Sequence, residues 1–123
     1  SVNGAATRKN AIVKVIFENG LLKGDKPKIE LCHICNLHKV AFVKTSTGYG
    51  FVRQEDGTYS CRGAVEEDVI LMRRECAPEV QVKAAGGIRT LDDLLKFKAL
   101  GATRIGTTST AAILEEAKRR GYR

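Results

Sequence analysis

Two lysines stand where their surroundings could make them reactive. Lys44 closes the apolar run Ala41-Phe42-Val43 and is followed by Thr45-Ser46-Thr47-Gly48. Lys83 closes Val80-Gln81-Val82 and is followed by Ala84-Ala85-Gly86-Gly87. If both runs are parallel strands, both lysines lie near the carboxyl edge of the sheet, where such folds place ligands. A lysine in a packed barrel interior is costly as a cation, so its pKa should fall and its amine become nucleophilic. Two cations at equivalent depth on neighbouring strands depress each other further. That is the physical requirement for a lysine that forms an imine with an aldehyde. On local pattern alone, a strand-end lysine more commonly just reaches solvent.

Glycines and hydroxyls follow the lysines. Gly86-Gly87 and Gly106-Thr107-Thr108-Ser109 could be turn glycines and a helix N-cap. They also suit a phosphate cradle, because backbone N–H groups and a helix N-terminus attract anions and glycine allows close approach. Arg89 adds charge nearby, and Thr45, Ser46 and Thr47 either finish a strand or line a pocket.

The elements that must position these groups alternate. Ala11–Phe17 is β-branched and apolar and reads as a buried strand. Lys26-Pro27 opens a helix to about Leu37, with Ile29, Cys32, Ile34, Cys35 and Leu37 expected to face the sheet. Ala41–Lys44 is the next strand. Gly48–Gly63 is a long loop with a possible hairpin at Asp56-Gly57. A helix over Ala64–Cys76 follows, with Val65, Val69, Ile70 and Met72 as its apolar face. Then come a strand at Val80–Ala84, a helix at Thr90–Leu100, a strand at Thr103–Gly106 and a helix at Thr107–Arg120. Thr90 is a good N-cap and Gly101 a good stop. The β-α-β-α-β-α-β-α order implies parallel strands with right-handed crossovers. Residues 1–10 are polar and aperiodic and read as a flexible lead-in to a single domain over 11–123.

Three segments, Val43–Gly50 (VKTSTGYG), Val82–Thr90 (VKAAGGIRT) and Ala102–Ser109 (ATRIGTTS), resemble the deoxyribose-phosphate aldolases, class I aldolases built on a (β/α)8 barrel. The similarity runs from about Val13 to about Leu114 and covers strands five to eight of that barrel. It implies an α/β fold, the (β/α)4 half of a TIM barrel. It implies that Lys44 forms the Schiff base and that Lys83 lowers its pKa and joins proton transfer. It also assigns Thr47, Gly48, Gly86, Gly87, Gly106, Thr108 and Ser109 to the substrate and its phosphate. The implied reaction joins or splits 2-deoxyribose 5-phosphate, glyceraldehyde 3-phosphate and acetaldehyde, with no cofactor and no metal. Three departures stand out. The turn at Asn36–Val40 lacks the family's usual glycine, Thr108 stands where serine is common, and the family's proton-shuttling aspartate belongs to a strand this chain lacks. The alternative reading is therefore an inactive half-barrel that keeps the fold and a phosphate site and self-associates.

Composition bounds the remainder. The chain has 123 residues, whereas a complete (β/α)8 barrel needs about 250. A half-barrel has two open sheet edges and is expected to expose an apolar interior face, so a homo-oligomer, dimer or higher, is expected. The net charge of +7 is scattered and suits a small phosphorylated sugar or phosphate ion better than nucleic acid. No apolar run is long enough to span a membrane. Cys32, Cys35, Cys61 and Cys76 are expected as reduced thiols in a cytoplasmic protein. Cys32-x-x-Cys35 with His33 and His38 is expected to be core packing with surface histidines, not a zinc site.

Overall fold

The computed structural model describes residues 1–122, and its elements follow the alternating plan. In chain order they are α1 (Val2–Thr7), β1 (Lys14–Ile16), α2 (Lys26–His38), β2 (Phe42–Lys44), β3 (Phe51–Arg53), β4 (Tyr59–Cys61), α3 (Glu66–Glu75), β5 (Gln81–Ala85), α4 (Leu91–Ala99), β6 (Ala102–Gly106) and α5 (Thr110–Arg119). The strands β1, β2, β5 and β6 form one parallel sheet in that order. This is the (β/α)4 half of a TIM barrel. Strands β3 and β4 form a separate antiparallel hairpin across Asp56-Gly57, inside the long loop after β2.

The pleat sorts the sheet's side chains into two layers. Val43, Val82, Ala84 and Ala102 point to the helices and are buried with Cys32, Cys35, Val69, Leu71, Met72 and Phe97. In α2 the cysteines fill the core while His33 and His38 lie on the exposed side, so the Cys-x-x-Cys spacing serves packing. Burial pushes the Cys35 thiol up to about 11, as expected for a packed thiol.

The opposite layer overturns one expectation. The barrel-side face is not apolar. Lys14 pairs with Phe42, Ile16 with Lys44, Lys44 with Lys83 and Lys83 with Arg104, so this face carries four cations. The Arg104 guanidinium lies 4.2 Å from the centre of the Phe42 ring and covers it. Arg104 reaches this face through a register shift in β6, where Val82 pairs with Ala102 but Lys83 pairs with Arg104. One residue, Thr103, is taken up by that bulge, which re-aims the side chain after it.

Other expectations also change. Ala11–Phe17 shrinks to the three-residue β1 and is not wholly buried, because β1 is an edge strand with no neighbour on one side. Ile34 and Leu37 do not face the sheet but are 53% and 79% exposed. Cys32 and Cys35 take the inward arc of α2, and a residue one or two positions away is rotated by about 100° or 200° from it. The same rotation leaves Ile70 exposed while Val69 and Met72 are buried. Residues 1–10 are not a featureless lead-in. The Ser1 hydroxyl accepts from the Gly4 N–H at 3.1 Å and caps α1. The Asn3 side chain then ties α1 to the last carbonyls of α2, donating to His38 O at 2.7 Å and Lys39 O at 3.2 Å.

Helices α2 and α3 are joined by a buried ion pair, Lys28 Nζ to Asp68 Oδ1 at 2.6 Å. Asp68 Oδ2 has no hydrogen-bond partner, so Lys28 is what compensates this buried carboxylate. Lys28→Met alone should therefore destabilise the fold by about 3–5 kcal/mol, because it strands the acid. The double replacement Lys28→Met with Asp68→Leu should recover most of that loss. Urea unfolding of the three proteins checks both outcomes.

Candidate active site

The carboxyl edges of β2, β5 and β6 surround a cavity of about 400 Å3. Lys44, Thr47, Gly48, Gly86, Gly87, Gly106 and Thr108 all line it. Lys83 lies directly across the sheet from Lys44 and is seated against Gly106. Ser109 sits one residue past the lining as the N-cap of α5, and its N–H donates to the Thr107 hydroxyl at 2.9 Å. The site thus gathers eight of the nine residues expected on sequence grounds at one edge, with Ser109 just behind.

Register is what brings the two amines together. Phe42, Val43 and Lys44 pair with Gln81, Val82 and Lys83, so the lysines share one pleat position on adjacent strands. Thr45 N continues the ladder by donating to Lys83 O at 3.1 Å. Beyond it, the buried Thr45 hydroxyl accepts from Ala85 N at 3.1 Å and donates to Ala85 O at 3.2 Å. Ser46 is also buried and its hydroxyl donates to Ala85 O. Of the three hydroxyl residues after Lys44, Thr45 and Ser46 therefore lock β2 to β5, and Thr47 faces the cavity.

Lys83 sits in a hostile place for a cation. Partial burial, then the Lys14 and Lys44 ammonium groups and the Arg104 guanidinium, hold its pKa below the usual lysine range. Its side chain occupies the space that Gly106 leaves open. A Cβ on Gly106 would lie 2.8 Å from the Ala85 Cβ and 3.1 Å from the Lys83 Cε. Gly106 is thus needed for the lysine's path as well as for any approach of a ligand.

The glycine loops are held before any ligand arrives. Gly86 O accepts from Ala64 N at 3.0 Å, and a Cβ on Gly86 would stand 2.7 Å from the Gly63 Cα. At the next loop, Thr107 donates through its hydroxyl to Ile88 O at 2.6 Å. Thr90 and Asp93 form a reciprocal capping box, and Asp93 also accepts from Arg89 N at 3.1 Å. The cavity is lined by three glycine-bearing segments, at Gly48, Gly86-Gly87 and Gly106, with Thr108 and Arg89. None of its lining residues is acidic. Such a lining fits an anion with several oxygens.

Sequence reasoning passed over several contributors. Lys14 and Arg104 enter only through register and the β6 bulge. Gly63 enters through its contact with Gly86, and Tyr49 through its place on the cavity wall. Alternation along β1 would have put Lys14 on the same face as Ile16, but nothing local marks the bulge at Thr103.

The fold is half of a parallel (β/α) barrel, and its cavity lies at the carboxyl edge, where complete barrels place their active sites and often a phosphate site. Comparison with known proteins narrows this. No protein-family profile matches the chain. Curated deoxyribose-phosphate aldolases do: that of Rhodopirellula baltica is 50% identical over 107 residues, covering 87% of this chain and 40% of its relative. That of Caldicellulosiruptor saccharolyticus is 45% identical over 108 residues, covering 88% and 44%. Among solved structures, the tetrameric deoxyribose phosphate aldolase from Aeropyrum pernix superposes with a TM-score of 0.78 at 31% identity, covering 95% of this chain and 46% of that one. The chain belongs to the deoxyribose-phosphate aldolase family and spans a little under half the length of the curated relatives it matches.

The cation cluster makes a prediction about Lys83. Removing a neighbouring cation in Arg104→Gln should raise the Lys83 pKa, because the charged form loses a repulsion. Side-chain NMR titration of Lys83 reads this, and an unchanged or lower value would contradict the electrostatic account. The sign for folding follows. The folded chain holds this proton less tightly than the unfolded chain, so Lys83's contribution to stability rises with pH from the depressed folded value up to the ordinary 10.5.

Proposed function

We propose that this chain carries the imine-forming and phosphate-holding part of a deoxyribose-phosphate aldolase site. The observation that carries this reading is the in-register pair Lys44–Lys83 beside an anion-ready cavity. Lys44 lines the cavity and attacks the aldehyde carbonyl, losing water to form the imine. Lys83, whose pKa is lowered by partial burial and the neighbouring cations, takes or returns the proton that this step moves. Thr47, Gly48, Gly86, Gly87, Gly106, Thr108 and Ser109 hold the substrate and its phosphate, through backbone N–H groups and hydroxyls. The substrate class is 2-deoxyribose 5-phosphate on one side, and glyceraldehyde 3-phosphate with acetaldehyde on the other. The chemistry asks for no cofactor, and we place it in the cytoplasm.

A second reading is an inactive half-barrel that binds phosphate. The acid-free lining of the cavity supports it, since carbon–carbon cleavage needs a group to receive a proton at the far end of the substrate. Self-association belongs to both readings, as a dimer or larger. The edges β1 and β6 are unpaired, and apolar grooves flank them: Val13, Val15, Leu31 and Ile34 on one side, Leu94, Ala102 and Ile105 on the other. Two copies closing a single eight-stranded barrel would set four cations against four, so the grooves are the better contacts.

Borohydride reduction in the presence of acetaldehyde should attach the reduced adduct to Lys44, located by peptide mass spectrometry. Lys44→Arg should abolish it. A protein that gives no adduct, or one spread over surface lysines, rules out the first reading. Retained phosphate binding in that case is the result expected for the second.

A further inference from the structure

Glu18 follows β1 and is an acidic side chain bonded to the Thr47 side of the cavity wall. Its backbone sits in the left-handed region, φ 52° and ψ 58°, which is unfavourable for a glutamate. Ladder bonds hold it there from both sides: Phe17 N donates to Lys44 O at 2.9 Å and Asn19 N donates to Thr45 O at 2.9 Å. The unusual backbone turns the side chain over the end of β2. There the carboxylate accepts from Thr47 N, at 3.1 Å to Oε1 and 3.2 Å to Oε2, and from the Thr47 hydroxyl. The same hydroxyl accepts from Tyr49 N at 3.0 Å. The carboxylate also needs Gly50, whose Cβ, if present, would lie 2.6 Å from Glu18 Cδ.

A strained backbone, a matching glycine and two converging donors from Thr47 are more than a solvated surface acid requires. Thr47, Gly48 and Tyr49 are lining residues of the cavity that also holds Lys44. We propose that Glu18 is a positioning residue: its carboxylate clamps the Thr47–Tyr49 wall and thereby sets the cavity's affinity for a phosphate-bearing ligand. Glu18 touches no ligand in this account and acts through Thr47. The inference rests on the reading of the cavity as a phosphate site.

The test is titration with inorganic phosphate, followed through the amide signals of Gly48, Gly87 and Thr108, for the unchanged protein, Glu18→Ala, Glu18→Gln and Gly50→Ala. Glu18→Ala should bind phosphate about tenfold more weakly, with the Gly48 signal no longer responding. Glu18→Gln keeps an acceptor oxygen and loses the charge, and it should stay within about threefold of the unchanged protein. Gly50→Ala, which displaces the carboxylate and keeps its charge, should follow Glu18→Ala. Equal or tighter binding by Glu18→Ala would overturn the clamp and show charge repulsion, or no role, in its place. No binding by the unchanged protein would remove the phosphate reading itself, and the clamp's function with it. Unchanged amide exchange in β2 and β5 confirms that the variants keep the sheet.

Discussion

The site depends on one constraint, the register between β2 and β5. A shift of one residue would send Lys83 into the helix layer, where Val82 and Ala84 are buried, and would leave Lys44 alone on the barrel side. The sequence guards this register at two points. Val43 and Val82 are fully buried as a pair in the helix layer, so either strand slipping would bury a lysine. At the end of β2, Thr45 offers one hydroxyl to both the N–H and the carbonyl of Ala85, and Ser46 adds a second bond to that carbonyl. Ordinary strand pairing and two buried hydroxyls thus hold a pair of cations that would repel each other if free to move.

The glycines do two jobs. Gly106 gives Lys83 room to lie over β6, and Gly86 lets its loop touch Gly63 at the foot of the hairpin. Both are packing requirements of the fold itself. They also leave backbone N–H groups accessible at the cavity, which a side chain would screen. Thr107 shows the same economy: its hydroxyl bridges Ile88 O and Ser109 N and so ties the loop after β5 to the start of α5. Loops cross-linked in this way have little freedom left to lose on binding any ligand.

Much of this was legible from residue order. Alternating strands and helices gave the parallel layout, and the lysine-then-glycine pattern at Lys44 and Lys83 marked the sheet edge that carries the cavity. Asp56-Gly57 announced the hairpin, and Thr90 announced a helix start that the capping box confirms. What was not legible depended on tertiary context. Residues 1–10 look like coil because their one anchor, Asn3, finds its partners at His38 and Lys39, far along the chain. Ile34 and Leu37 look like core because hydrophobicity alone does not say which arc of α2 meets the sheet. Arg104 would fall on the same face as Ala102 by simple alternation, since the bulge that moves it to the barrel side leaves no mark in the local sequence.

The barrel-side face gives the half-barrel its particular character. An apolar face would have made association non-selective, driven by area alone. With Lys14, Lys44, Lys83 and Arg104 on it, any surface that closes over this face must bring negative charge or leave water in place. Partial burial and the same cations hold the Lys83 pKa below the usual lysine range. Lys14 and Arg104 are exposed, so solvent already screens part of this repulsion, and covering the face would strengthen it. Covering the face and activating its amine are therefore linked: whatever excludes water from the four cations also sharpens the chemistry that the paired lysines can perform.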